Sequence, residues 1–204
     1  MTEPLRTPTQ SRALKTVEAL LSATQEILAE VGYDGVTSNA VAARAGLTPP
    51  AFYRYFKDKH MLLATLGQRL LDAQNALIDE HMRDAEGQLL HSLQATQEMM
   101  HAEVALTKSF VGGCELMFLM RALPELSHLR LQAHEEVTDL LSTEAAAHYT
   151  ALAPRVIRAR TRLATELYYS TVEMLFETNF RNQKEVIRRS AIALHAALGL
   201  EEGL

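Results

Sequence analysis

The sequence predicts an all-α protein, and three observations carry that reading. Apolar residues recur at three- and four-residue spacings along almost the whole of the 204 residues, the pattern that lines one face of a helix. Alternating runs of the strand type are absent. Only 9 Gly and 6 Pro punctuate the chain. With 48% hydrophobic and 22% charged residues, the chain can bury a sizeable core, which excludes a disordered or low-complexity polypeptide.

The elements follow in order. Ser11 is a suitable N-cap for a first helix, whose stripe of Leu14, Val17, Leu21, Leu28 and Val31, widened by Leu20 and Ile27, is expected to face a core. Gly32 or Gly35 stops it. Thr37 caps a short second helix, Ser38 to Ala45, and Gly46 then supplies a tight turn at a point where a side chain is expected to crowd. Thr48 caps a third, from Pro49 to about Tyr55. A long fourth helix follows Asp58 with Leu63, Leu66, Leu70, Leu77 and Ile78 on one side, and the stretch from Asp84 to Gly87 ends it. Further helices are expected at about 88–107, 109–122, 124–152, 155–181 and 183–198. They are separated by Gly112-Gly113, Pro124, Pro154 and Asn182, the two prolines standing near helix starts, where a missing N–H costs nothing.

Charge needs to be read by region. The formal net charge of −5, from 20 Lys and Arg against 25 Asp and Glu, lacks the basic footprint of a nucleic-acid binder. Residues 1–68, however, hold seven basic against six acidic residues, and residues 69–204 hold 13 against 19, so the acidity belongs to the second part. A single cysteine, Cys114, rules out an internal disulfide framework or a multi-cysteine zinc site and fits a reducing compartment. Nothing basic lies beside it in sequence, so a buried, inert thiol is expected. Met1 to Pro8 has no apolar run of the signal-peptide kind, and Val104 to Leu123 is interrupted by Lys108, Glu115 and Arg121. A cytoplasmic protein without membrane partners is expected.

The informative stretch runs from Thr37 to Lys59. Two short helices about Gly46 form a helix-turn-helix, in which small Ala42 permits close approach and Val41, Ala45, Leu47 and Phe52 fill the contact. Such a unit presents the start of its second helix to the major groove while flanking polar and basic side chains grip phosphates. Thr37, Ser38, Thr48, Pro49, Pro50, Ala51, Tyr53, Arg54, Tyr55 and Lys59 are the candidate DNA-binding residues. Arg44 divides evenly between phosphate contact and solvated surface, and Tyr55 also has the position to pack on the first helix. Mere helix packing would explain the apolar members of the stretch, but not polar Thr48, Arg54 and Lys59 interleaved with Tyr53 and Tyr55.

With Thr37, Val41-Ala42, Ala45-Gly46-Leu47-Thr48, Tyr53-Arg54-Tyr55-Phe56 and Lys59 at fixed offsets, residues 11–66 resemble the TetR family of bacterial transcriptional regulators. The family usually has Gly where this chain has Pro50. Two successive prolines remove two N–H donors from the recognition helix, so side chains must carry more of the phosphate grip. The resemblance implies a helix-turn-helix domain over residues 1–58 and a helical ligand-binding and dimerisation domain over 59–204, connected by the helix from 59. It also implies a homodimer on double-stranded, palindromic operator DNA, released by a small effector acting through the fourth helix. No catalysis and no cofactor are expected.

In the larger region Met99, Phe110, Cys114, Met117, Phe118, Arg121 and Tyr168 combine thioethers, rings and few polar groups, a composition suited either to a largely apolar effector cavity or to ordinary core. The last two helices carry stripes at Ala164, Tyr168, Thr171, Leu175 and Asn179 and at Val186, Ser190, Leu194 and Ala197. The resemblance implies a two-fold four-helix interface there; the alternative is that these faces cover the core of their own subunit. An enzymatic rival is a di-metal carboxylate bundle, because Glu98 with His101 and Glu125 with His128 show the Glu-x-x-His spacing. Its two bridging carboxylates are lacking, Glu173 and Glu177 being loose candidates on one helix.

Overall fold

The computed structural model describes residues 8–84, 92–177 and 182–199, and among them it holds nine α-helices and no strand. The helices are α1 (Pro8–Val31), α2 (Ser38–Arg44), α3 (Pro49–Tyr53), α4 (Lys59–Asp84), α5 (Leu93–Ser109), α6 (Gly113–Ala122), α7 (Pro124–His148), α8 (Pro154–Glu177) and α9 (Gln183–Leu198). A 3-10 turn, Tyr33–Gly35, joins α1 to α2.

The first core forms where α1, α2, α3 and α4 meet. Leu20, Leu21, Leu28, Val41, Ala42, Phe52, Leu62 and Leu63 are buried there, each large side chain contributing about 1.5–3 kcal/mol by leaving water. Leu116, Met120 and Leu126 belong to the same cluster, so the apolar packing crosses the expected division at residue 58. The second core lies among α4, α5, α7, α8 and α9, around Ile78, Met100, Val137, Tyr169, Val172 and Ile187. Helix α4 enters both, with Leu62 to Leu71 in the first and Ile78 and Met82 in the second.

Several expectations are corrected by local chemistry. Helix α1 starts at Pro8, not after Ser11, since proline is tolerated in a first turn. Leu14 and Val31, 45% and 64% exposed, leave the inward stripe. Gly32, at φ 77°, ends α1. Thr37 caps α2 as expected, its Oγ1 accepting the Ala40 N–H at 3.1 Å. Thr48 occupies the cap position of α3 without a side-chain bond. The two prolines remove the first donors, and the Ala51 N–H goes to the Thr48 carbonyl oxygen at 2.9 Å. The turn at Gly46 is a matter of backbone shape: φ is +68°, yet a Cβ there would meet nothing within 4 Å, so crowding plays no part.

Helix α5 begins at Leu93, where Ser92 accepts the Ala95 N–H at 3.2 Å. Helix α6 starts only at Gly113, because Phe110 is extended and Gly112 is left-handed at φ +73°. A Cβ on Gly112 would also lie 3.2 Å from Leu28 Cδ2 and 3.3 Å from the Gln25 carbonyl oxygen, so glycine lets this corner dock on α1. Gln25 Nε2 donates to the Val111 carbonyl oxygen at 3.2 Å across the same contact. Helix α7 ends at His148, short of 152. Gly87 at the expected end of α4 lies outside the described residues.

Candidate nucleic-acid interface and effector cavity

The short helices α2 and α3 are held by Ala42 and Phe52, both fully buried, so their polar faces point outward as a rigid pair. Thr48, Pro49, Pro50 and Arg54 are exposed, Ala51 is half-buried, and Tyr53 is 58% exposed. Thr37, Ser38 and Asn39 at the start of α2, with Val36, Tyr53 and Lys59, line an open depression of about 340 Å³. A hydroxyl, a phenol and an ammonium converging there, beside backbone N–H groups, can hold a phosphate oxygen through charge and hydrogen bonds.

Lys59 owes its position to a residue the sequence reading missed. Its Nζ stands 3.8 Å from the centre of the Tyr33 ring, and the Tyr33 hydroxyl is 3.0 Å from His60 Nε2. The only signal for Tyr33 in the sequence is an aromatic residue beside the turn before Thr37, 26 residues from the lysine it orients.

Other candidates are placed elsewhere. The Arg44 guanidinium bonds to Glu30 at 3.1 and 2.8 Å and to Glu26 at 3.2 Å, tying α2 to α1. These carboxylates hold its pKa above the ordinary value, and Arg44 holds that of Glu30 below it. Tyr55 packs half-buried on the first core.

A second feature lies inside the second core. Ile78, Thr96, Met99, Val137, Leu141, Ala164, Tyr168, Leu194 and His195 surround a largely apolar cavity of about 50 Å³. Of the candidate ligand residues it gathers Met99 and Tyr168. Met117, Phe118 and Arg121 line a shallow cleft with Glu173 and Phe176 between α6 and α8, where Arg121 Nη1 bonds Glu173 Oε2 at 3.1 Å. Phe110 packs on the first core. Cys114 is half-buried, and burial with nearby Glu115 pushes its thiol pKa up, the direction of an unreactive cysteine.

Sequence reasoning also missed the polar groups of this region. Thr96 Oγ1 and His195 Nε2 face each other at 3.0 Å on the cavity wall. Glu103 is fully buried and accepts the Tyr168 hydroxyl; burial pushes its pKa up to about 7, against the lowering effect of that bond. Its signal was a carboxylate on the inward stripe of α5, between Met99, Met100 and Thr107.

The candidate interface residues are partly or wholly covered by their own chain. Leu175 and Leu194 are buried in their own subunit, Thr171 Oγ1 and Ser190 Oγ meet at 2.9 Å, and Val186 and Ala197 pack partly buried on the second core. Asn179 lies outside the described residues. The outward stripe of α8 is offset by one residue: Leu163, Leu167, Ser170 and Met174 are exposed, as are Arg189, Ala193 and Ala196 on α9. One residue is about 100° of helix rotation, enough to exchange the two faces.

The residues of the di-metal pattern do not converge. Glu98, His101, Glu125 and His128 are all exposed, with Glu98 accepting from Gln94 at 2.8 Å. Among the described residues no three His, Cys, Asp or Glu stand together as a metal site, and no helix is long and apolar enough to cross a membrane.

Residues 20–66 match the family described as bacterial regulatory proteins, tetR family. The class C tetracycline repressor protein of Escherichia coli is 39% identical over 54 residues, which are 26% of this chain and 25% of that protein. The match thus spans about a quarter of the length of such curated relatives. A TetR-family transcriptional regulator from Streptomyces coelicolor superposes with a TM-score of 0.63 at 24% identity, over 91% of this chain and 98% of the other. The regulator AibR, solved with isovaleryl coenzyme A and operator DNA, superposes with a TM-score of 0.60 at 13% identity, over 88% and 98% of the two chains.

Proposed function

The chain belongs, through its helix-turn-helix segment, to the tetR family of bacterial regulatory proteins, and from that premise we propose that it is a ligand-responsive transcriptional repressor acting in the cytoplasm. The observation that carries the reading is the depression formed by Thr37, Ser38, Tyr53 and Lys59 beside the exposed start of α3. In this reading Thr37, Ser38, Tyr53 and Lys59 hold backbone phosphates. Thr48, Pro49, Pro50, Ala51 and Arg54 approach the bases. Arg44 is a tether of α2, not a phosphate ligand, because its guanidinium fork is occupied.

A homodimer brings two such surfaces to one face of DNA, about 34–36 Å apart on successive major grooves. The outward α8 stripe of Leu163, Leu167 and Met174, with Ala193 and Ala196 of α9, supplies the apolar, small-residue face that a four-helix interface requires. Residues 1–58 then read the operator while residues 59–204 pair the subunits and sense the effector. AibR binds both an acyl coenzyme A and operator DNA, which supports the same division of labour here.

The effector site is the cavity at Met99 and Tyr168. Its 50 Å³ is well below the 300–1,000 Å³ or so of sites filled by drug-sized ligands, so a ligand must widen it. Ile78 of α4 is part of its wall, and Lys59 at the other end of α4 is part of the DNA surface. Widening the cavity therefore biases the α4 position, and the effector releases DNA in proportion to its preference for the widened state.

The test is selection of bound sequences from random duplex DNA, followed by titration in salt. A palindrome is the expected product. Lys59→Ala should reduce the logarithmic salt slope by about one and weaken all sequences alike. Tyr53→Ala should also weaken binding. Enrichment of no palindrome, with both variants binding as the parent does, defeats the proposal.

A further inference from the structure

The second core contains a charge-bearing group that the repressor reading leaves unused. Glu103 has no exposed surface, and while its carboxylate accepts the Tyr168 hydroxyl, Oε1 is without a hydrogen-bond partner among the described residues. One turn further along α5, Thr107 accepts the Gln74 amide at 2.8 Å, and Gln74 Oε1 is also buried without a partner. Two buried acceptors, one on α5 and one on α4, thus lack donors among the described residues, a costly condition in an apolar interior.

The groups around Glu103 do not supply the missing donor. From α8 it faces Tyr168 and Tyr169, whose pKa values burial pushes well up, so both stay neutral. The Tyr169 ring stacks on His134 of α7 at 4.0 Å between ring centres, and burial lowers the His134 pKa, keeping it neutral. The α4 neighbour, Gln74, is uncharged. Among the described residues no cation contributes to the electrostatics of Glu103. Tyr168 connects this carboxylate to the cavity, since its ring forms part of the wall and its hydroxyl reaches Glu103.

Resting on the reading of the cavity as the effector site, we propose that the effector is an organic amine, bound as its protonated, N–H-bearing cation with an apolar body. The body occupies the space among Met99, Val137 and Leu194. The ammonium replaces the Tyr168 hydroxyl at Glu103 and donates to both carboxylate oxygens, the unmatched Oε1 included, which its several N–H groups can satisfy together. A quaternary cation lacks those donors, and a carboxylate ligand would set like charge against Glu103.

The experiment titrates the full chain by calorimetry with primary amines from butylamine to phenylbutylamine, each beside the alcohol and the carboxylate of the same skeleton. At least one amine should bind roughly tenfold or more tighter than its alcohol, the scale of a charge-assisted hydrogen bond. Alkylamines stay protonated near neutrality, so the preference should grow from about pH 6 to about pH 8 as Glu103 ionises. Glu103→Gln, with helicity checked by circular dichroism, should bring the ratio to about one and abolish the pH trend. The trend reads the same charge in the unmodified chain, so the test survives a misfolded variant. An amine series no tighter than its alcohols, or a ratio that persists in Glu103→Gln, overturns the proposal. If alcohols or carboxylates bind best and release DNA, the effector cavity stands and the amine falls; if nothing in any series binds, both fall.

Discussion

The two cores of this chain are built from different material. In the helix-turn-helix region one buried polar residue, Thr24, appears among the described residues, and its hydroxyl is satisfied by the Leu20 carbonyl oxygen at 2.8 Å. The other ten buried polar or charged residues, from Gln74 to His195, lie in the longer helices that follow. There His134 Nδ1 is 3.1 Å from a Glu166 oxygen; a carboxylate only accepts, so the proton belongs on Nδ1, and buried Nε2 is left without a partner among the described residues. Among the same residues Tyr169 Oη is also unmatched. A dry, jigsaw-packed core has a single low-energy arrangement, which suits a surface that must present Tyr53 and Lys59 in one geometry. A core with unmatched polar groups has alternatives close in energy, which suits the proposed effector region, where a ligand would supply the missing partners.

The largest test of this contrast is Phe52→Ala. The ring is fully buried between α2, α3 and the rest of the first core. A loss of about 3–5 kcal/mol in denaturant unfolding, with loss of operator binding, is expected. A loss below about 1 kcal/mol would show that the first core relaxes around a cavity and is not the rigid partner.

Glu103→Gln addresses the other core by pH. The folded-state pKa of about 7 lies above the ordinary value of 4.5, so the folded state holds this proton more tightly. Its contribution is fully present below about pH 4.5 and is lost as pH rises to about 7, an effect on the order of 3 kcal/mol. Stability of the parent should therefore fall relative to Glu103→Gln over that window, read from paired urea unfolding curves. Parallel curves would remove the buried charge from the comparison.

The smallest effect is expected at Gly46→Ala. Space is open but φ is +68°, so only backbone strain of about 1–2 kcal/mol opposes the methyl group. A larger loss, measured by thermal unfolding, would mean that the turn's exposed backbone is packed more tightly than its open surroundings indicate.

The helix-turn-helix was legible because its determinants are local. Thr37 caps a helix three residues away, Pro49 and Pro50 start one, and Gly46 turns the chain between them. Even so, the direction of Arg44 was not legible, because Glu26 and Glu30 reach it from α1 across 18 and 14 residues. On α8 the composition is apolar and small on two adjacent faces, and periodicity alone does not choose between them. Packing of α9 and α5 put Leu175 and Tyr168 inside and left Leu167 and Met174 outside. The second core resisted reading for the same reason: a stripe of Met99, Met100, Glu103 and Thr107 is inward by period, but which side chain meets the Glu103 carboxylate depends on α8.

By itself, the sequence determined the helical class, the order of the helices to within a few residues at most ends, and the helix-turn-helix at residues 37–59, since each rests on periodicity, caps and turns within a few residues. Only the tertiary structure decided which cations stay available beside Tyr53, which face of α8 looks outward, and that Met99 and Tyr168 share a cavity while Met117, Phe118 and Arg121 do not. Those outcomes depend on contacts between helices far apart in sequence, where a rotation of one residue exchanges a buried face for an exposed one.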